Sequence, residues 1–309
     1  MRAIFMGTPA FAVHSLDTLI NKGVEVVLVI TQEDKKQGRK MKLEMSDVKK
    51  RALELNLEVY QPHRVRSEES VQKIKALAPD LIVETAYGQY IPKEIIDIPK
   101  YGIINVHPSL LPKYRGATPI NQAILNGDTV TGVTTMQVDE GMDTGDIILS
   151  DEIEIDATDT AQTLSEKLAV LSEKTLGNTI NMLHLGIPLN AKPQDDSLAT
   201  NTTLITKEMG HIDYTKSADE IINHIRGYQP WPCAYSFLND KSLKIYSAVS
   251  TGIKSKQAPG TVVSSDKALI VSTGTNDIII NELQLAGKNR MNTSDFLRGN
   301  KIEIGTVLK

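Results

Sequence analysis

Two short stretches hold most of the side chains able to do chemistry. In Ile103-Ile104-Asn105-Val106-His107-Pro108, an amide and an imidazole sit two residues apart at the end of an apolar run. Residues two apart on a strand leave the same face. Pro108 biases His107 toward extended backbone, which keeps that parity to the strand's end. A neutral amide donor beside an imidazole suits a carbonyl that gains negative charge during transfer. Strand position alone favours the plainer reading, a turn-capping Asn105 and a core His107 with its bonds satisfied. The second stretch, Asp139-Glu140-Gly141-Met142-Asp143-Thr144-Gly145-Asp146, is an acidic loop between two apolar runs. By itself it reads as a hairpin turn, for which Asp and Gly are favoured. Its acid spacing fits no calcium loop, and no metal site is expected.

A third stretch, Lys35-Lys36-Gln37-Gly38-Arg39-Lys40-Met41-Lys42, is strongly basic. Charge runs are commonly solvated loops. This one follows an apolar strand within an otherwise acidic part of the chain, where a positive loop draws anions.

Elements able to position these residues alternate through the first two-thirds of the chain. Apolar runs at 3–6, 24–30, 81–85 and 103–106 read as strands, and 11–21, 47–55 and 68–77 carry helical spacing. The nearly unbroken run over 24–30 is the pattern of a strand covered on both faces. Strand, helix, strand in repetition predicts an α/β fold with an open, mostly parallel, Rossmann-like sheet. Ligands bind such a sheet beyond the carboxyl ends of its strands. A long amphipathic helix over 163–185 closes this region. Gly7-Thr8-Pro9 lacks the pattern of a phosphate loop. Thr8 is expected to cap the first helix and Pro9 to open it.

The pattern changes after Gly186. Residues 187–203 have no period and read as a linker. A helix is predicted over 217–226, and short β-like runs at 243–249, 260–264, 268–273 and 278–285 suggest a small barrel or sandwich. The expected domains are therefore 1–186, a linker over 187–205, and 206–309. Trp231, flanked by Pro230 and Pro232, is expected to be a core anchor.

The 309 residues have globular composition, which excludes a disordered or fibrous chain, and a net charge of -4. Bulk charge therefore gives no sign of a nucleic-acid partner. The distribution is uneven, because 206–309 carries +3 and the rest -7. The single cysteine, Cys233, excludes an internal disulfide and a cysteine cluster, as in a reducing cytoplasm. The N-terminus meets Gly7-Thr8-Pro9 too soon for a signal peptide, and no apolar run approaches the ~18 residues of a membrane span. A cytoplasmic protein is expected.

Taken in order, Asn105-x-His107, Ser109-Leu110-Leu111-Pro112-Lys113-Tyr114-Arg115-Gly116-Ala117 and Asp143-Thr144-Gly145-Asp146 resemble the signature of enzymes that use 10-formyltetrahydrofolate as a one-carbon donor. Phe5-Met6-Gly7-Thr8-Pro9, Arg226-x-x-x-Pro230-Trp231-Pro232 and Ala286-Gly287-Lys288 extend the resemblance from end to end. It points to the branch that formylates methionine carried on initiator tRNA. Thr118 and Tyr214 stand where the family commonly has Ala and Trp.

The resemblance implies transfer of the formyl group of 10-formyltetrahydrofolate, without a metal, to the α-amine of methionyl initiator tRNA. The product would be N-formylmethionyl-tRNA for translation initiation. The resemblance further implies an OB-like β-barrel as the second domain, with Asn105, His107 and Asp143 as the catalytic group. Ser109, Leu110, Leu111 and Pro112 would edge the folate site and 86–91 would line the pterin. Arg39, Lys40 and Lys42 would contact the tRNA, arginine being able both to fork a phosphate and to stack on a base. Lys207, Arg226, Lys244, Lys288, Arg290 and Arg298 would add phosphate contacts. No membrane and no obligate protein partner are expected. The alternative is a formyltransferase for a small amine such as an amino-sugar nucleotide, against which stands the basic loop around Arg39. A non-catalytic RNA-binding module would lack one of Asn105, His107 and Asp143, and all three are present.

Overall fold

The structure, a computed structural model, describes residues 1–37 and 42–309. The chain forms two compact units. The first joins Met1–Pro119, Val130–Ile153 and Ser165–Thr202; the second joins Ile120–Thr129, Glu154–Leu164 and Thr203–Lys309.

The chain opens with β1 (Arg2–Gly7), α1 (Ala10–Asn21), β2 (Glu25–Ile30), β3 (Lys35–Gln37), β4 (Lys42–Glu44) and α2 (Asp47–Glu54). Next come β5 (Val59–Tyr60), α3 (Glu68–Leu77), β6 (Leu81–Thr85), α4 (Lys93–Ile96) and β7 (Ile103–His107). They are followed by β8 (Arg115–Gly116), α5 (Pro119–Leu125), β9 (Val130–Gln137), β10 (Ile147–Glu154), α6 (Ala161–His184) and β11 (Asn201–Thr202).

In the first unit seven strands form one sheet in the order β10-β9-β7-β6-β1-β2-β5. The pairs β2/β5, β1/β2, β1/β6 and β6/β7 are parallel, whereas β9 runs antiparallel to β7. Ala3, Ile4, Phe5 and Met6 of β1 and Ile103, Ile104 and Val106 of β7 are buried. That follows from sheet faces covered by helices, which read in sequence as continuous apolar runs. In α1 the buried Phe11, Ala12, Leu16 and Leu19 recur at helical spacing. Ser67 caps α3 by accepting from Ser70 N–H at 3.3 Å.

The first helix begins differently from expectation. Pro9, not Thr8, is its N-cap, and no side chain caps it. The Thr8 hydroxyl instead donates to the Tyr87 carbonyl at 3.0 Å, so it is turned toward the loop after β6.

The second unit contains α7 (Ala218–Gly227), β12 (Ala234–Leu238), β13 (Lys241–Ser250), β14 (Val262–Ser264), β15 (Leu269–Val271), β16 (Ile278–Leu285), β17 (Met291–Asn292) and α8 (Thr293–Gly299). Ser217 and Glu220 close a reciprocal cap on α7. The strands pair antiparallel in the order β12-β13-β16-β15-β14, with β17 beside β16. The last residues join the two edges. Val262 N–H donates to the Thr306 carbonyl and Leu308 N–H to the Gly260 carbonyl, both beside β14. Phe237 of β12 exchanges backbone bonds with Lys309. That strap closes the sheet into a barrel, which removes its open edges. Ile221, Ile225, Leu243, Ile245, Ile280 and Phe296 lie in its core.

Trp231 is a correction. It is 56% exposed and anchors no core. Residues 187–202, read as a linker, lie in the first unit, where β11 pairs with β8.

Candidate active site

Asn105 and His107 project from the same face of β7, and the loop between β9 and β10 brings Asp143 to them. Asn105 Nδ2 donates to Asp143 Oδ1 at 3.3 Å. His107 Nδ1 stands 3.7 Å from Asp143 Oδ2. Gly116 N–H donates to the same Oδ2 at 2.7 Å. His107 Nε2 lies 2.9 Å from the Tyr114 carbonyl. A carbonyl only accepts, so Nε2 carries the proton and Nδ1 is the ring nitrogen that faces Asp143. Asn105 and His107 are 8% and 4% exposed, and the Asp143 side chain 15%. Asp143 is therefore the member of the trio most open to a substrate.

The backbone accounts for this convergence. Asp143 has φ +55°, a left-handed conformation that Asp tolerates better than most residues. Gly145 must be glycine for a different reason, since a Cβ there would stand 1.7 Å from the Gln137 carbonyl oxygen. The acidic stretch is thus a tight connection between strands that also delivers a carboxylate.

The segment after β7 is held just as firmly. The Ser109 hydroxyl donates to the Lys113 carbonyl at 2.7 Å, and Thr134 donates to the Ser109 carbonyl at 2.7 Å. Both hydroxyls are committed to backbone, so neither acts as a nucleophile. Ser109 and Leu111 are buried, whereas Leu110 and Pro112 are half-buried.

Beyond β6, Ala86 and Gly88 adopt positive φ of 47° and 82°. Three side chains pin the turn between them. Glu84 accepts from Tyr87 N–H at 2.7 Å, Thr8 donates to the Tyr87 carbonyl at 3.0 Å, and Gln32 donates to the Tyr87 and Gly88 carbonyls at 3.0 Å each. Glu84 is paired in register with Asn105, so it lies beside the trio on the neighbouring strand. Burial pushes its carboxyl up to about 7; the Tyr87 N–H opposes that rise and the charge of Asp143 adds to it.

Arg39 and Lys40 lie outside the described residues, and Lys42 opens β4. Several of the other basic residues have partners within the second unit. Arg226 donates to the Asp156 and Asp159 carbonyls at 3.2 and 2.9 Å, so it is a structural tie rather than a free phosphate contact. Arg290 forks onto Glu282 with two bonds of 2.6 Å and lies 4.1 Å from the Tyr246 ring centroid. Arg298 pairs with Asp295 at 3.2 Å. Among the described residues no group of three His, Cys, Asp or Glu side chains could hold a metal ion.

Residues 1–180 match the formyl transferase family, and 204–301 match the formyl transferase C-terminal domain. The chain belongs to the formyltransferase family. This formyltransferase is 47% identical over 310 residues to the methionyl-tRNA formyltransferase of Caldanaerobacter subterraneus subsp. tengcongensis, covering 100% of both chains. Among solved structures, an N-formyltransferase from Helicobacter canadensis in complex with folinic acid and dTDP-3-aminofucose superposes with a TM-score of 0.67 at 20% identity, over 90% of this chain and 98% of that one. HypX from Aquifex aeolicus with tetrahydrofolic acid gives a TM-score of 0.62 at 17% identity, over 99% of this chain and 50% of that one. At these identities the two structures share its fold.

Three polar residues built into this formyltransferase site escaped the sequence reading: Glu84, Arg115 and Gln194. For Glu84 a signal existed, a carboxylate interrupting the apolar run Leu81-Ile82-Val83-Glu84-Thr85. Arg115 stood inside the recognised run without an assigned role. Gln194 had no signal, since its segment has no period.

Proposed function

We propose that this enzyme moves the formyl group of 10-formyltetrahydrofolate to the α-amine of methionyl initiator tRNA, yielding N-formylmethionyl-tRNA for translation initiation. The convergence of Asn105, His107 and Asp143 carries the chemical part of this reading. Full-length similarity to relatives named methionyl-tRNA formyltransferase supports the acceptor.

The residues present fit an acyl-transfer donor. An amide, an imidazole and a carboxylate converge, the Ser109 and Thr134 hydroxyls donate to backbone carbonyls, and that of Thr144 donates to Asp139. The formyl group therefore passes directly between substrates. Asn105 Nδ2 donates to the carbonyl oxygen as it gains charge, a contribution of about 3 kcal/mol for one placed donor. For this it releases its 3.3 Å bond to Asp143, long enough to exchange at little cost. Asp143, held by Gly116 N–H, takes the proton of the attacking amine. His107 Nδ1 faces Asp143 and, when protonated, adds positive charge beside the reacting carbonyl. As the tetrahedral adduct collapses, the formyl carbon–N10 bond breaks and the proton taken from the amine passes through this pair to N10, releasing tetrahydrofolate. The folate lies along 109–112 and the turn at 86–88, apolar surface with a few placed polar groups. Arg39, Lys40 and Lys42 engage the acceptor end of the tRNA.

The enzyme works in the cytoplasm. This is supported by the tRNA acceptor in the name of its full-length relatives; no helix among the described residues is long and apolar enough to cross a membrane. The deciding experiment supplies 10-formyltetrahydrofolate with methionine-charged initiator tRNA, charged elongator tRNA, or an amino-sugar nucleotide. Formylation confined to initiator tRNA is the expected result. Preferential formylation of the sugar nucleotide would transfer the reading to the small-amine branch.

A further inference from the structure

One side chain holds the backbone beneath Asp143. Gln194 Nε2 donates to the Asp143 carbonyl at 2.8 Å and to the Gly145 carbonyl at 2.7 Å. Its Oε1 accepts from Arg115 Nε at 3.0 Å and from Nη2 at 2.8 Å, and that Nη2 also reaches Asp196 Oδ1 at 2.8 Å. Arg115 is only 7% exposed. The next residue, Gly116, gives its N–H to the Asp143 carboxylate, and the preceding one, Tyr114, gives its carbonyl to His107. Residues 114–116 thus grip the reacting group in three ways. Two of these are direct, and the third runs through Gln194.

We propose that Gln194 is a positioning residue for formyl transfer, clamping the 143–145 turn so that the Asp143 carboxylate stays beside His107 and Asn105. The inference rests on the reading of Asp143 as a proton acceptor. Only a primary amide meets the demands of the position, donating to two carbonyls while accepting from a guanidinium. A glutamate satisfies Arg115 and sets an oxygen against the two carbonyls. A lysine does the reverse. The turn is also packed so tightly that Gly145 has no room for a Cβ against Gln137. Release of the Gln194 bonds frees the carbonyls of Asp143 and Gly145 and so loosens the turn that carries the carboxylate.

The test compares Gln194→Glu, which keeps the shape and the Arg115 partner, with Asp143→Asn and the double variant. Folinic acid titration gives donor affinity, single-turnover formylation of methionyl initiator tRNA gives the chemical step, and thermal melting gives stability. Gln194→Glu is expected to slow the chemical step at least ~10-fold while folinic acid affinity stays within about threefold, because displacement of a reacting group by about 1 Å is costly. The double variant is expected to be hardly slower than Asp143→Asn, the two acting through one group. A lowered melting temperature with an unchanged rate per folded molecule overturns the proposal and leaves Gln194 purely structural. An Asp143→Asn enzyme at wild-type rate overturns the parent reading as well, which distinguishes the two failures. Should Gln194→Glu not accumulate as folded protein, Gln194→Met makes the same comparison without adding charge.

Discussion

Replacing Glu84 with glutamine should stabilise the first unit, and only above a definite pH. The carboxyl titrates at about 7 instead of 4.5, chiefly because it is buried. Moving a titration midpoint by one pH unit corresponds to about 1.4 kcal/mol, so ionising Glu84 in the folded protein costs up to about 3 kcal/mol. The residue keeps some solvent access, which reduces the figure to about 1–3 kcal/mol. The folded state holds this proton more tightly than the unfolded state. Stability from the neutral carboxyl is therefore complete below pH 4.5 and lost as pH rises through about 7. Glutamine keeps an acceptor for Tyr87 N–H and never ionises. The variant should match wild type near pH 4.5 and exceed it by about 1–3 kcal/mol above pH 7. The sole tryptophan, Trp231, lies in the second unit, so its fluorescence reports the wrong transition. Hydrogen exchange at the amides of β6 and β7, followed across this pH range, reads the right one. Parallel pH dependences for the two proteins would refute burial as the reason Glu84 keeps its proton.

Asn105→Ala should slow single-turnover formylation at least ~100-fold with folinic acid affinity nearly intact, and equal losses in both would deny it the role of oxyanion donor. Arg39→Ala should raise the KM for charged tRNA without altering donor affinity; steady-state kinetics over a tRNA concentration series checks this, and an unchanged KM removes the basic loop from recognition. Gly145→Ala should abolish formylation and lower the melting temperature of the first unit, because the added Cβ would stand 1.7 Å from a backbone oxygen. A folded, fully active alanine enzyme would mean that the turn has a freedom its packing denies.

Much of the frame was legible because it depends on local patterns. The predicted helix over 68–77 and the strands over 81–85 and 278–285 coincide with the observed elements. Each is a run whose period matches its secondary structure. The first helix cap failed because Thr8 had a competing partner, Tyr87, that lies far along the chain. Trp231 failed because it lies in the turn between α7 and β12, where apolar character alone does not say whether a side chain is buried.

Residue type and spacing alone established that Asn105 and His107 share a face, that Asp143 sits in a tight turn, and that an α/β unit precedes a small β unit, barrel or sandwich. Those facts follow from strand parity and turn chemistry within a few residues of each site. Only the tertiary structure decided which ring nitrogen of His107 faces Asp143, why Glu84 holds its proton to near neutrality, and how an aperiodic stretch sends Gln194 beneath the loop. Each depends on groups brought together from distant parts of the chain. Burial and hydrogen-bond geometry are properties of that assembly, and no local period encodes them.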